Sequence, residues 1–283
     1  MSRLAALARR TVLVAACWPA VGPVAAATIR PLDLARPEGP RHVLVAEPVP
    51  APAPAGPRPL VVLLHGHGGT AAQLLGQQRG AAPLSRWLVI ADREGWLLAA
   101  PDGAKGADGR PGWNDCRADA ADNPHTDDVG LVAALIDEMV AHHGADPARV
   151  YVMGMSNGGI MSFRLASELR FLTRQSRGAV LGAEATAERW RRLAGLPAEP
   201  ARHEAAPHRD AADRTRATRS VWGADPAGAQ VELLRIDGGG HIEPSLAEHP
   251  HRAYTALVGP QNTDVEAAEE AFVFFKDKRA AAR

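Results

Sequence analysis

Apolar and polar positions along this chain follow two different periods. Leu60 to Leu64 (L-V-V-L-L) is a continuous apolar run, the pattern of a central parallel strand buried on both faces. Trp96 to Ala100 and Arg149 to Met153 read the same way, and His42 to Ala46 reads as an edge strand. Between these runs the period lengthens to that of a helix. Ser85 to Gly95 is helical in pattern. Val129, Val132, Leu135, Ile136, Met139 and Val140 fall on one helical face, behind Thr126-Asp127-Asp128 as a capping sequence and ahead of Gly144 as a stop. Ala183 to Leu193 is a further helix. Thr215–Trp222 and Val231–Ile236 read as a hairpin turning through Gly223–Ala229. Asp264 to Lys278 closes the chain as a helix with Val265, Ala268, Phe272 and Phe275 on one side. Strands alternating with helices predict βαβ units around a mostly parallel sheet.

The ends and connections sort around that core. In residues 1–27, Arg3, Arg9 and Arg10 precede an apolar stretch and then Ala25-Ala26-Ala27, the layout of a cleaved export signal. Val14-Ala15-Ala16-Cys17 resembles a lipobox, but the residues after Cys17 are not polar, and ordinary cleavage is the favoured expectation over a lipid anchor. The mature protein is then secreted or periplasmic. Residues 28–57 form an N-terminal edge strand and a stiff Pro/Ala-rich connection, and residues 58–283 a single catalytic domain. Outside the first 30 positions there is no apolar run of about 20 residues to span a membrane.

Composition excludes some classes of function. The formal net charge is +0 over 283 residues, so nothing suggests a nucleic-acid partner. Cys17 and Cys116 are the only cysteines, and cleavage after Ala27 leaves Cys116 without a disulfide partner.

The chemistry concentrates in Gly154-Met155-Ser156-Asn157-Gly158. This G-x-S-x-G run lies between an apolar strand and a helical segment that ends near Arg170, the context the motif needs. A serine hydroxyl attacks a carbonyl only when it stands clear of the sheet and a base can reach it. A strained strand-to-helix corner at Ser156 meets that need, with flanking glycines relieving clashes. The corner also aims the Asn157 backbone N–H, at a helix N-terminus, at a developing oxyanion. The loop His65-Gly66-His67-Gly68-Gly69-Thr70 supplies a second donor, the His67 backbone N–H. His65 and His67 alternate as metal ligands can, yet no third ligand lies at helical or hairpin spacing. The chemistry needs no metal and no cofactor. His241 follows the strand Val231–Ile236 on the loop Asp237-Gly238-Gly239-Gly240, where it can swing over the sheet to act as base for Ser156. Trp113 is a candidate for stacking on a substrate ring or for anchoring its own loop.

In order, H-G-x-G-G-T, P-D-G, W-N-D-C, D-D-V, G-M-S-N-G-G and I-D-G-G-G-H resemble the secreted esterase family of polyhydroxybutyrate depolymerases and feruloyl esterases. The resemblance covers most of residues 58–170 and, more weakly, 183–278. It implies an α/β-hydrolase fold, Ser156 as nucleophile, His241 as base and an ester, polymeric or small, as substrate.

The chain also departs from that family. The family continues past the nucleophile helix with two more strands and a helix between them, the second strand leading into the loop of the catalytic acid. Here only residues 171–182 separate the nucleophile helix from the next one, and a crossover unit needs about 30 residues. The expectation is a sheet lacking two strands. Between Ser156 and His241 the aspartates are Asp210, Asp213, Asp225 and Asp237. Asp225 belongs to the hairpin turn, a strand's length of roughly 20 Å from the base. Asp210 and Asp213 lie in an Arg-rich stretch. Asp237 is at the correct end of its strand and is the candidate acid. Without an acid, the chain is either a weak esterase or a remnant that binds an ester, aryl or glycan ligand without turnover.

Overall fold

The computed structural model describes residues 27–48, 56–78, 82–168 and 182–280. The stretch expected to be an export signal, with Cys17, most of the Pro/Ala-rich connection and nearly all of the segment between the two helices after Ser156 lie outside the described residues.

The main sheet has five strands, β1 (Thr28–Leu34), β2 (Arg41–Glu47), β3 (Arg58–Leu64), β4 (Leu97–Pro101) and β7 (Ala145–Gly154), in the order β1-β2-β4-β3-β7. β4, β3 and β7 are mutually parallel, β2 runs against them, and β1 runs against β2. Four strands therefore share one direction, and the architecture is an α/β-hydrolase-like, mostly parallel sheet. The edge-strand expectation for His42–Ala46 is corrected. β2 lies inside the sheet, because Thr28–Leu34, whose pattern is broken by Arg30, Pro31 and Asp33, pairs along its outer side.

Helices cover both faces, and the apolar run of β3 shows why it has no polar alternation. Leu60, Val62 and Leu64 meet Leu131, Val132, Leu135 and Met139 of α3 (Asp128–His142) and Met161 and Leu165 of α4 (Asn157–Glu168). Val61 and Leu63 pack on the other face against Leu74, Trp87, Ile90 and Ala268, carried by α1 (Ala71–Leu74), α2 (Trp87–Glu94) and α7 (Ala267–Phe275). Burial on both sides gives each such side chain about 1.5–3 kcal/mol of transfer free energy. The α3 start is capped by Asp127, whose side chain accepts the Gly130 N–H at 2.9 Å, worth about 1 kcal/mol.

Among the described residues no strand after β7 joins the main sheet, and Val150 and Val152 on that last strand are half-buried. The later strands form a separate antiparallel sheet, β8 (Arg202–Ala205), β9 (Arg216–Trp222) and β10 (Val231–Asp237), in the order β10-β9-β8. β9 and β10 form the expected hairpin, with Trp222 opposite Val231 and Arg216 opposite Asp237. β8 was not legible, being four residues with two charges. α5 (Ala183–Leu193) lies where its pattern put it, and α6 (Arg252–Val258) is an unpredicted short helix. A two-residue pair, β5 (Ala104–Lys105) and β6 (Pro111–Gly112), folds one loop beside the upper end of β4.

Candidate active site

Ser156 sits between β7 and α4 with a backbone φ of +52°. A left-handed conformation at a non-glycine residue costs about 1–3 kcal/mol and persists only when its surroundings enforce it. The flanking glycines show that enforcement. A Cβ on Gly154 would lie 2.4 Å from the Gly158 carbonyl, and one on Gly158 would lie 2.4 Å from the Leu64 oxygen. The Met155 N–H donates to that same Leu64 oxygen at 3.1 Å. The turn is thus pressed against the end of β3, where no side chain fits. Gly158→Ala is expected to destabilise the fold by about 3 kcal/mol or more, by overpacking against backbone that cannot yield. A urea titration checks it, and a wild-type midpoint would contradict this packing.

His241 meets the serine. Its Nε2 lies 2.9 Å from Ser156 Oγ. Its loop is fixed from behind, because the His241 N–H donates to the Val258 carbonyl at 2.6 Å and the Gly240 N–H to the Pro260 carbonyl at 2.7 Å. A Cβ on Gly240 would come within 2.4 Å of Val258 oxygen. The glycine run that led to His241 is therefore a close-approach surface as well as a flexible arm.

Among the described residues, neither the His67 nor the Asn157 backbone N–H has an acceptor. His67 belongs to the loop after β3, held by Gly68 N–H to the Pro111 carbonyl at 2.7 Å. Its ring reaches Asp108 through Nε2 at 2.8 Å, and that hydrogen bond holds the Asp108 carboxyl below its ordinary range.

Two expectations are corrected. Trp113 is fully buried, its Nε1–H donates to the His65 carbonyl at 2.8 Å, and its ring lies 4.9 Å from the His65 ring. It anchors a loop and offers no face to a substrate. Asp237 is half-exposed at the end of β10, and its carboxylate pairs with Arg235 at 2.7 Å. The only side-chain partner of His241 among the described residues is Ser156. The residues outside the described set contain no Asp or Glu, and among the described residues no carboxylate is hydrogen-bonded or ion-paired to His241. Asp225 accepts from Ala227 N–H in the hairpin turn, Asp210 from Ala212 N–H, and Asp213 from Thr215 and Thr263.

Sequence reasoning missed the polar scaffold behind the site. His65 is buried, its Nδ1 facing the Gly66 carbonyl at 2.7 Å and its Nε2 accepting the Gly103 N–H at 2.9 Å. Both ring nitrogens are occupied, which removes it as a metal ligand. Burial pushes its pKa below 6.5. Below that pH the unfolded chain binds the proton that folded His65 refuses, so this contribution to stability is complete above 6.5 and is lost as pH falls toward the folded value. The urea midpoint is expected to drop between about pH 7.5 and about pH 5.5, with a smaller drop in His65→Gln; equal drops would contradict it. Asp102 accepts the Ala71 N–H at 2.7 Å, and buried Asp128 binds Arg41 at 2.9 Å and the Asn114 N–H at 2.7 Å. The strings P-D-G, W-N-D-C and D-D-V were the only signals of these roles.

Comparison with known proteins agrees with the geometry. Residues 45–185 match the family described as Esterase PHB depolymerase. Over that stretch, just under half of its length, the chain is similar to this family. Among its relatives, feruloyl esterase B of Neurospora crassa is 34% identical over 113 residues, 38% of this chain and 34% of that protein. Poly(3-hydroxybutyrate) depolymerase of Ralstonia pickettii is 31% identical over 111 residues, 38% of this chain and 22% of that one. The chain thus spans about a third or less of the length of these relatives. Among solved structures, an S-formylglutathione hydrolase from Agrobacterium tumefaciens overlays 50% of this chain and 53% of its own, at 16% identity and a TM-score of 0.38. The family match ends at residue 185, before β9, β10 and His241, so the base is supported by geometry alone.

Proposed function

We propose that the chain is an exported serine esterase that cleaves carboxylic esters through an acyl-enzyme on Ser156. The observation that carries this reading is the 2.9 Å contact between His241 Nε2 and Ser156 Oγ at a corner held at φ +52°. The family match over residues 45–185 and the esterase names of the relatives support it. Neutral His241, with its proton on Nδ1, accepts the hydroxyl proton at Nε2 as Ser156 Oγ attacks the ester carbon. The resulting oxyanion is received by the His67 and Asn157 backbone N–H groups. The imidazolium then returns its proton to the departing alkoxide, which leaves as an alcohol. Water, deprotonated by His241, attacks the acyl-enzyme, and the acid is released with Ser156 restored. Substrates in keeping with the relatives are polyhydroxyalkanoate, feruloyl or short acyl esters. Among the described residues no helix is long and apolar enough to cross a membrane, and residues 1–27 carry the proposed export signal.

A second reading is favoured by one observation, the absence of any carboxylate on His241. It is a remnant that binds an ester, aryl or glycan ligand without turnover. Release of p-nitrophenol from p-nitrophenyl butyrate separates the two. The esterase reading expects saturable release above the buffer rate, with an initial burst as acyl-enzyme accumulates. A folded chain that gives none contradicts it.

A further inference from the structure

We propose that Asp115 is a positioning residue for the oxyanion site, acting through the side chain of Asn157; this rests on the esterase reading above. Asn157 has two separate parts to play. Its backbone N–H opens α4 toward the oxyanion, while its side chain is turned inward and almost fully buried. Asn157 Oδ1 accepts the Trp113 N–H at 2.7 Å, and Nδ2 donates to the Trp113 carbonyl at 3.1 Å and to Asp115 Oδ2 at 2.6 Å. Only one orientation of the amide satisfies all three contacts, since the reverse sets its oxygen against a carbonyl and a carboxylate.

Asp115 supplies the charge that makes this anchor firm. Its side chain has no exposed surface, and a buried carboxylate persists only when fully hydrogen-bonded and paired. It accepts from Asn123 Nδ2 at 2.8 Å and from the Arg117 backbone and Nε at 3.2 and 3.0 Å, and it pairs with Arg117 Nη2 at 2.9 Å. A hydrogen bond to a charged acceptor is about twice as strong as a neutral one.

The position of this bond in the backbone gives it a role beyond packing. Among the described residues, the non-glycine residues with positive φ are Ser156 at +52° and Cys116 at +66°. Ser156 immediately precedes Asn157, and Cys116 immediately follows Asp115. The Asn157–Asp115 hydrogen bond therefore ties together two strained turns, and strain of this kind survives only where neighbours hold it. If the tie is loosened, the Ser156 turn can relax. That shifts Oγ relative to His241 and moves the Asn157 N–H away from the developing oxyanion, where small displacements weaken stabilisation steeply.

The test compares Asp115→Asn with the wild-type chain in p-nitrophenyl butyrate hydrolysis and in inhibition by butylboronic acid. The boronic acid forms a tetrahedral anionic adduct on an active serine. The expected result is kcat lowered about 10-fold with KM within about two-fold, and boronate affinity weakened in parallel. Asn157→Asp, which opposes two carboxylates, is expected to lose more, and the exchange Asn157→Asp with Asp115→Asn to regain part of that loss. A purely structural role would lower the melting temperature while leaving kcat per folded molecule and boronate affinity unchanged, and that result overturns the proposal. If Asp115→Asn does not fold, Asn157→Ala, which leaves the Asp115–Arg117 pair in place, decides by the same two measurements. A wild-type chain that neither hydrolyses the ester nor binds the boronate overturns the esterase reading and this proposal with it. An active wild type with unaltered variants overturns this proposal alone.

Discussion

Wild-type turnover is expected to be about ten-thousand-fold below that of an esterase whose histidine carries a carboxylate, the loss seen when that group is disabled in a serine protease. The cause is visible at His241. Its Nε2 meets Ser156 at 2.9 Å, but no carboxylate meets its ring, so nothing selects the Nδ1–H tautomer or stabilises the imidazolium formed during attack. Among the described residues no carboxylate is hydrogen-bonded or ion-paired to His241. Asp237, the best-placed by sequence, is engaged by Arg235. Steady-state kcat for p-nitrophenyl butyrate, measured beside a full-triad esterase under the same conditions, checks this. A kcat within about tenfold of that enzyme would mean that the loops rearrange in solution to bring an acid to His241.

Ser156→Ala is expected to lower the remaining rate by a further 100-fold or so. In an intact triad, loss of the serine costs about a million-fold, but members of such a unit are strongly non-additive, and a site already lacking its acid has less to lose. His241→Gln is expected to fall to the same floor, and the double variant no lower. What persists is the contribution of the oxyanion donors and of substrate binding. Initial rates on each variant, with thermal melts to show that the fold is intact, provide the measurement. A Ser156→Ala rate equal to wild type would place the chemistry elsewhere.

Much of this was legible in the sequence because the residues involved obey local rules. The uninterrupted apolar run Leu60–Leu64 could only be a strand buried on both faces. The 3.6-residue spacing of α3, and the glycines around Ser156, likewise specify their own conformations. The short spacing of 12 residues (171–182) between helical patterns carried the expectation that a crossover unit of about 30 residues does not fit there. What escaped was non-local. β1 is interrupted by Arg30, Pro31 and Asp33, and it is a strand because β2 offers it an edge. Trp113 looked equally suited to a ligand or to a loop, and only its full burial against His65 decides. Asp237 sits at the right end of its strand, but the direction of its side chain depends on Arg235 two residues before it. Asp115 and Asn123 lie in loops without periodicity, and their convergence on Asn157 follows from tertiary packing alone.

The most direct test of the central claim is whether His241 activates Ser156. The full chain would be treated with a fluorophosphonate and the adduct located by mass spectrometry of its peptides. The account predicts a single adduct on Ser156 that forms far more slowly in His241→Gln. A folded chain that stays unlabelled, or one labelled at the same rate without His241, would contradict it.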